Sequence, residues 1–155
     1  MIIKQCMKQE VVSIQDEQSI AQSAHIMVEH HIGTLPVTDS RGILTGLVQM
    51  RDLLDLVMPD FLGLVHDFDF VHDFGAVETR LPSPEKLAKP VRTIMHSPIS
   101  VDENCGLLRA MAILYTNHLL DVPVIDQTGR LVGIASRVDI GVALLENWEI
   151  AQKGS

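Results

Sequence analysis

The sequence has few aromatic residues, few cysteines and no excess of basic charge, and each shortage narrows the possible functions. Aromatic residues make up 4% of the 155 positions and hydrophobic residues 46%, so the core must be aliphatic. The two cysteines, Cys6 and Cys105, lie in no metal-binding or redox spacing, which favours free thiols in a reducing cytoplasm. The formal net charge of −8 disfavours nucleic acid as a partner, because neutralising phosphates requires a basic surface.

Long apolar runs and catalytic signatures are lacking as well. No run approaches the roughly 20 residues that a bilayer span requires. Polar residues such as Lys4 and Lys8 interrupt the N-terminus, so it does not resemble a signal peptide. The sequence contains no nucleophile elbow and no glycine-rich phosphate loop before a lysine. We therefore expect a cytoplasmic protein that has no membrane partner and is not an enzyme.

The sequence contains two copies of one pattern. Residues 12–53 overlay residues 99–140 without a gap, at the offset of 87 that separates Pro36 from Pro123. About ten of roughly forty positions are identical, and most of the others keep their polarity. Two copies of one unit predict an intramolecular pseudo-dimer. The groove between the copies is then the first place to look for a ligand.

Each copy has the pattern of a β-α-β-β-α unit. Apolar residues at helical spacing follow a short apolar run, as at Ile20, Ala24 and Met27 in the first copy. Two short apolar runs come next, separated by a turn that places Asp39 shortly before Gly42, a hairpin signal because glycine tolerates a positive φ. A second helix follows. The predicted fold is α/β, with two pseudo-symmetric repeats packed sheet to sheet.

An insert between the copies, at residues 58–89, is not explained by the repeat. All four phenylalanines of the chain lie in it and alternate with acids. It also contains His66 and His72, but their spacing matches no well-defined metal site. We predict no metal site, and the sequence leaves open whether the phenylalanines cap the groove or line an interface.

The end of the second copy contains the segment that most strongly indicates a ligand. In the run from Gly133 to Asp139, a predicted strand ends at Ser136 and a helix begins. Free N–H groups and the helix dipole favour an anion there, and Arg137 would add positive charge. An acid one turn later, Asp139, suits ribose hydroxyls. The same Ser-x-x-Asp pattern is also close to a capping box, which only satisfies the N–H groups of a helix start; both interpretations stay open.

The order and spacing of Pro-Val, Asp, Gly, Gly and Asp in each copy resembles the CBS domain, and the duplicated chain is similar to a tandem CBS pair, or Bateman module. The resemblance implies that Ser136 contacts the phosphate and Asp139 the ribose of an adenosine nucleotide such as AMP, ADP or ATP. It also implies that apolar positions near the first strand and the Pro-Val strand enclose the base. These positions are Ile99, Ser100, Val122 and Pro123.

The first copy departs from this pattern, because Gln49 replaces the hydroxyl residue while Asp52 is retained. An amide imitates the hydroxyl only as a donor, and it is bulkier. We therefore expect two unequal sites, of which the one at Gln49 and Asp52 is the weaker.

The predicted organisation is repeat 1 at residues 1–57, the insert and linker at 58–89, repeat 2 at 90–147 and a C-terminal tail at 148–155. The predicted function is regulatory: an adenosine-containing ligand binds in the cleft, and its occupancy is passed to an effector protein in trans. The resemblance implies a homodimer, which agrees with the aliphatic surplus. The alternative is a structural or interaction module that homodimerises without a physiological ligand.

Overall fold

Two three-stranded sheets of the same topology form the centre of the chain in this computed structural model, which describes residues 1–57 and 81–154. In each sheet the first strand is parallel to the second, and the second is antiparallel to the third. The first sheet consists of β1 (Ile14–Gln15), β2 (Thr34–Thr38) and β3 (Leu44–Gln49). The second consists of β4 (Val101–Asp102), β5 (Asp121–Ile125) and β6 (Leu131–Ser136). The predicted α/β fold of two repeats is confirmed.

The helices of the two repeats follow the strands in the predicted order, and one further short helix lies in the segment predicted as insert and linker. They are α1 (Ile20–His30), α2 (Met50–Leu54), α3 (Pro84–Leu87), α4 (Leu107–Thr116) and α5 (Arg137–Lys153). The helix α5 extends to Lys153, so most of the residues expected as a C-terminal tail continue it. Across the described ranges, no helix is both long and apolar enough to cross a membrane.

The hairpin turns form as the Asp-to-Gly spacing predicts. Gly42 and Gly129 have φ values of 81° and 85°, the left-handed conformation that glycine adopts without strain. The carboxylate of Asp39 accepts hydrogen bonds from the N–H groups of Arg41 and Ile43, at 2.8 and 3.1 Å. The two hairpin tips also join each other, because Leu44 N–H donates to the carbonyl of Gly129, and Leu131 N–H donates to that of Gly42, each at 3.1 Å.

The repeats exchange the segments that lead into their first strands. We call residues 2–8 and 90–96 the lead-in segments. The first lies on repeat 2, where Lys8 N–H donates to the carbonyl of Ile134 at 2.8 Å. The second lies on repeat 1, where His96 N–H donates to the carbonyl of Leu47 at 2.9 Å. The lead-in segments therefore correspond at an offset of 88, one residue more than the rest of the repeat.

This exchange completes both cores. Ile3 is fully buried in the aliphatic core of repeat 2, with Leu107 and Ile140 among its neighbours in that cluster. Val91 is fully buried in the core of repeat 1 with Val48. Neither repeat has a complete core without a residue from the lead-in segment of the other.

The repeated glycines at Gly46 and Gly133 allow the lead-in segments to cross the hairpins. A Cβ at Gly46 would lie 3.1 Å from the carbonyl oxygen of His96 and would also collide with the Met95 side chain. A Cβ at Gly133 would meet Met7 and the carbonyl of Lys8 in the same way. The second glycine of each copy is thus required for close backbone approach.

Candidate functional site

The helix start at Ser136 is a complete capping box. The Ser136 hydroxyl accepts a hydrogen bond from Asp139 N–H at 3.0 Å, and the Asp139 carboxylate accepts one from Ser136 N–H at 2.9 Å. Both residues are half-buried. The Ser-x-x-Asp pattern therefore forms the capping box that was one of its two interpretations. A ligand at this helix start must either bind next to the two capping hydrogen bonds or replace them.

Arg137 is engaged with α4 and the turn after it. Its Nε donates to the carbonyl of Leu119 at 2.7 Å, and its guanidinium carbon lies 4.7 Å from the centre of the Tyr115 ring. Its backbone N–H donates to Leu120 at 2.9 Å. These contacts hold the guanidinium against α4, so the positive charge expected from Arg137 is already committed there.

A cleft of about 340 Å³ opens between the repeats next to this helix start. Its size lies in the usual range for small-molecule sites. Both repeats contribute to it: the first lead-in segment, the residues after α1, and the strands β5 and β6. Its lining residues are Lys8, Glu10, Val12, His30, His31, Ile32, Gly33, Thr34, Asp121 and Ile134.

Asp121 connects the cleft to the helix start. It opens β5 and pairs in the strand register with Ser136. Burial raises the pKa of Asp121, and the negative charge of Asp139 raises it further, while a hydrogen bond from Thr34 and the charge of Lys8 oppose the rise. Asp121 and Lys8 therefore place groups of opposite charge in the same cleft.

Asp139 lines one cleft, and its charge acts on a residue that lines another. Its charge acts on Asp121 in the cleft between the repeats and also on Cys6. With Gln5, Cys6 and Val138 it lines a second cleft of about 360 Å³. Burial, followed by the charge of Asp139, raises the pKa of the Cys6 thiol, which makes Cys6 a weak nucleophile.

The corresponding helix start in repeat 1 is closed by a histidine. The Asp52 carboxylate accepts Gln49 N–H at 2.7 Å, and its other oxygen lies 2.6 Å from Nε2 of His96. The Asp52 side chain is only 8% exposed. His96 comes from the second lead-in segment and corresponds to Lys8, which lies near Asp121. Both carboxylate oxygens of Asp52 therefore have partners.

The residues predicted to enclose the base lie in different surroundings. Val122 is buried in β5 opposite Ala135, and the buried Pro123 pairs with Ile134, which lines the cleft between the repeats. Ile99 packs against the core of repeat 2. Ser100 lines a separate cleft of about 380 Å³ with Asn104 and Arg109.

Sequence reasoning missed the residues that the exchange of lead-in segments brings to the cleft. Lys8, Glu10 and Val12 come from repeat 1, yet the helix start beside them belongs to repeat 2. Asp121 was missed because it opens a buried strand, where the Pro-Val pattern drew attention to its neighbours. A charged residue at the first position of such a strand is the signal that identifies it.

A metal site finds no support in the described part of the chain. Residues 1–57 and 81–154 contain no cluster of three or more histidines, cysteines or acids arranged to hold a metal ion. His66 and His72, whose metal binding the sequence left open, lie outside the described residues.

The sequence profile of the CBS domain matches the chain twice, at residues 3–59 and 91–146. This chain belongs to the CBS domain family. Each match covers one of the two repeats of the fold, so the protein contains a CBS pair.

Curated relatives of this CBS pair include both short and long proteins. The CBS domain-containing protein YhcV of Bacillus subtilis is 24% identical over 94% of this chain and 86% of its own length. The chloroplastic CBSX1 of Arabidopsis thaliana is 29% identical over 90% of this chain. The chain spans 61% of CBSX1 and 30% of the uncharacterized protein MJ1404 of Methanocaldococcus jannaschii.

Solved CBS structures have the same fold. A structure of CBSX2 in complex with AMP matches with a TM-score of 0.71 and 24% identity, covering 94% of this chain and 96% of that one. The CBS pair of protein MJ0100 in complex with 5′-methylthioadenosine and S-adenosyl-L-methionine matches with a TM-score of 0.66 and 21% identity, over 95% and 98% of the two chains. At these identities the likeness establishes the architecture alone.

Proposed function

We propose that this CBS pair is a regulatory module that binds an adenosine-containing ligand in the cleft between its repeats. The observation that carries the proposal is the position of the Ser136–Asp139 helix start beside that cleft, through the pairing of Asp121 with Ser136. The cleft offers apolar side chains for a base at Val12, Ile32 and Ile134. The complexes of CBSX2 with AMP and of MJ0100 with adenosyl compounds support this choice of ligand class.

The site at Asp139 is the stronger of the two in this proposal. In the described part of the chain, one carboxylate oxygen of Asp139 accepts a hydrogen bond from its own cap, and the other would accept one from a ribose hydroxyl. Asp52 instead has partners on both oxygens, so a ligand there must first displace His96. The cost of breaking that contact lowers the affinity of the repeat 1 site.

Ligand binding is tested by thermal unfolding with adenosine, AMP and S-adenosylmethionine. A compound present at 100 times its dissociation constant stabilises the folded state by about 2.7 kcal/mol. We expect Asp139→Ala to abolish this stabilisation. Asp52→Ala is the matched control, because it removes the same capping acid from repeat 1, and it should retain the ligand-dependent shift.

Two results would contradict the proposal. If no adenosyl compound shifts the unfolding temperature of the wild-type protein, the chain is an interaction module instead. If Asp52→Ala removes the shift and Asp139→Ala does not, the ligand binds at the other repeat.

We further propose that two copies associate through the helical faces. On α5, Val138, Val142 and Leu145 are 70, 48 and 52% exposed and share one face by their spacing. Tyr115 on the adjacent α4 is exposed as well. An apolar surface of this kind is typical of an association site. An effector protein would then bind according to how the two copies are arranged in the dimer.

Analytical ultracentrifugation tests the association. Val142→Glu places a charge in the middle of the α5 face and should give monomers. Leu81→Glu, at an exposed position outside the helices, is the control and should leave the dimer intact. A wild-type protein that sediments as a monomer at micromolar concentration would contradict the dimer.

A further inference from the structure

The last helices of the two repeats differ in polarity at equivalent exposed positions. On α5, Val138 and Val142 are 70 and 48% exposed. The positions 87 residues earlier, at the end of repeat 1, are the exposed Arg51 and Asp55. Leu145, one turn beyond Val142, extends the apolar surface of α5 and is 52% exposed. The apolar surface of repeat 2 therefore has a charged counterpart in repeat 1.

The helices α1 and α4 show the same difference. On α4 the exposed Leu108 and Tyr115 are apolar or aromatic, and Tyr115 lies next to the start of α5. On α1 the imidazole Nε2 of His25 lies 3.6 Å from a carboxylate oxygen of Glu29, and the exposed Val28 lies between these two residues in sequence. The helical face of repeat 1 is therefore mixed, whereas that of repeat 2 is largely apolar.

This difference favours contact between like repeats when two copies associate. If repeat 1 of one copy covered repeat 2 of the other, Arg51 and Asp55 would lose water against Val138 and Val142, which offer no polar partner. A two-fold axis that brings repeat 2 onto repeat 2 buries apolar surface against apolar surface. The same axis brings repeat 1 onto repeat 1, where Arg51 of one copy and Asp55 of the other have opposite charges.

We propose that two copies associate about a two-fold axis, with repeat 2 facing repeat 2 and repeat 1 facing repeat 1. The apolar face of α4 and α5 is then covered by the same face of a second copy. The inference rests on the association proposed above and specifies its arrangement. Because α5 begins at the Ser136 cap, the helix that makes the contact is the one whose start lies at the proposed ligand site.

Thiol cross-linking tests the arrangement. Leu145→Cys and Leu54→Cys each place a thiol at a half-exposed leucine, on α5 of repeat 2 and on α2 of repeat 1. The wild-type protein, which contains the half-buried Cys6 and Cys105, sets the background. We expect a flexible bismaleimide to cross-link Leu145→Cys alone into dimers above this background. A mixture of the two variants tests the opposite arrangement, in which only the unlike thiols meet.

A second measurement uses Asp55→Leu, which replaces a charge on the repeat 1 face with an apolar side chain. In the proposed arrangement this variant removes the acid opposite Arg51, so the dissociation constant of the dimer from sedimentation equilibrium should not fall. If repeat 1 instead faced Val138 and Val142 of the second copy, the new leucine would add apolar contact. The constant would then fall about tenfold, which would overturn the inference. Glu17→Leu, the matched control at an exposed turn, should leave the constant unchanged.

The outcomes separate the arrangement from the association itself. If cross-linked dimers form only in the mixture, or if none form while the wild-type protein sediments as a dimer, the arrangement is wrong and the association stands. If the wild-type protein sediments as a monomer at micromolar concentration, the association is wrong, and the arrangement with it.

Discussion

The two repeats share a fold but differ in what faces the acid at the start of their last helix. In repeat 1, the lead-in segment of the other repeat brings His96 against Asp52. In repeat 2, the corresponding lead-in residue is Lys8, which lies near Asp121, and within residues 1–57 and 81–154 the Asp139 carboxylate accepts a hydrogen bond only from its own cap. One position in an exchanged segment therefore makes two similar helix starts chemically different. The two repeats keep the same fold, and the lead-in segments make their two helix starts different.

The largest expected effect comes from breaking the exchange on which the comparison depends. Ile3→Ala empties a fully buried position in the core of repeat 2 and should lower the free energy of unfolding by about 3 kcal/mol. Ile3 belongs to repeat 1 in sequence but is buried in the core of repeat 2. We therefore expect the two repeats to unfold in urea in one cooperative transition rather than in two. Leu81→Ala, at an exposed position outside the helices, is the control and should cost less than about 0.5 kcal/mol. Separate transitions for the repeats would show that the exchange does not couple them.

The second prediction makes the two sites alike. His96→Ala removes the partner from the Asp52 carboxylate and should cost about 1–3 kcal/mol of stability, because a nearly buried acid loses a hydrogen bond. It should also open the repeat 1 site, so that calorimetry with adenosine gives a stoichiometry closer to two per chain. An unchanged stoichiometry would mean that His96 is not what distinguishes the sites.

A smaller effect is expected from the caps themselves. Ser136→Ala removes the hydroxyl that accepts Asp139 N–H and should destabilise the protein by about 1 kcal/mol. Ser136→Thr, which keeps the acceptor, should recover most of this loss in the same denaturation experiment. Equal stabilities for the two variants would show that the capping bond contributes nothing measurable.

The smallest effect concerns the charge of Asp121. Burial and the charge of Asp139 raise the pKa of Asp121, so the folded state holds the proton more tightly than the unfolded state does. The free energy of unfolding therefore falls as the pH rises and Asp121 ionises. Asp121→Asn should therefore stabilise the protein at neutral pH by a few tenths of a kcal/mol, because solvent still screens this partly exposed group. The gain should vanish below pH 3.8, the ordinary value for aspartate. A gain of the same size at pH 3 would mean that charge is not its source.

The fold was predictable from the sequence because its determinants are local. The apolar periodicity of α1 and the Asp39-to-Gly42 turn each depend on only a few neighbouring residues. Because the pattern occurs in both copies, each element is predicted twice. The helix start at Ser136 was predictable for the same reason. The composition of the cleft was not, because Lys8 and Asp121 are distant in sequence and meet only after the lead-in segments cross. The engagement of Arg137 with Tyr115 likewise depends on the packing of α4 against α5.

The sequence by itself determined two β-α-β-β-α repeats, an aliphatic core and a capped helix start in each half, because spacing, propensity and turn chemistry operate over short separations. Only the tertiary structure decided which residues face each helix start. Backbone pairing of Lys8 with Ile134 and of His96 with Leu47 sets that choice. Such pairing joins residues that are far apart in the sequence, so it cannot be predicted from the pattern of neighbouring residues.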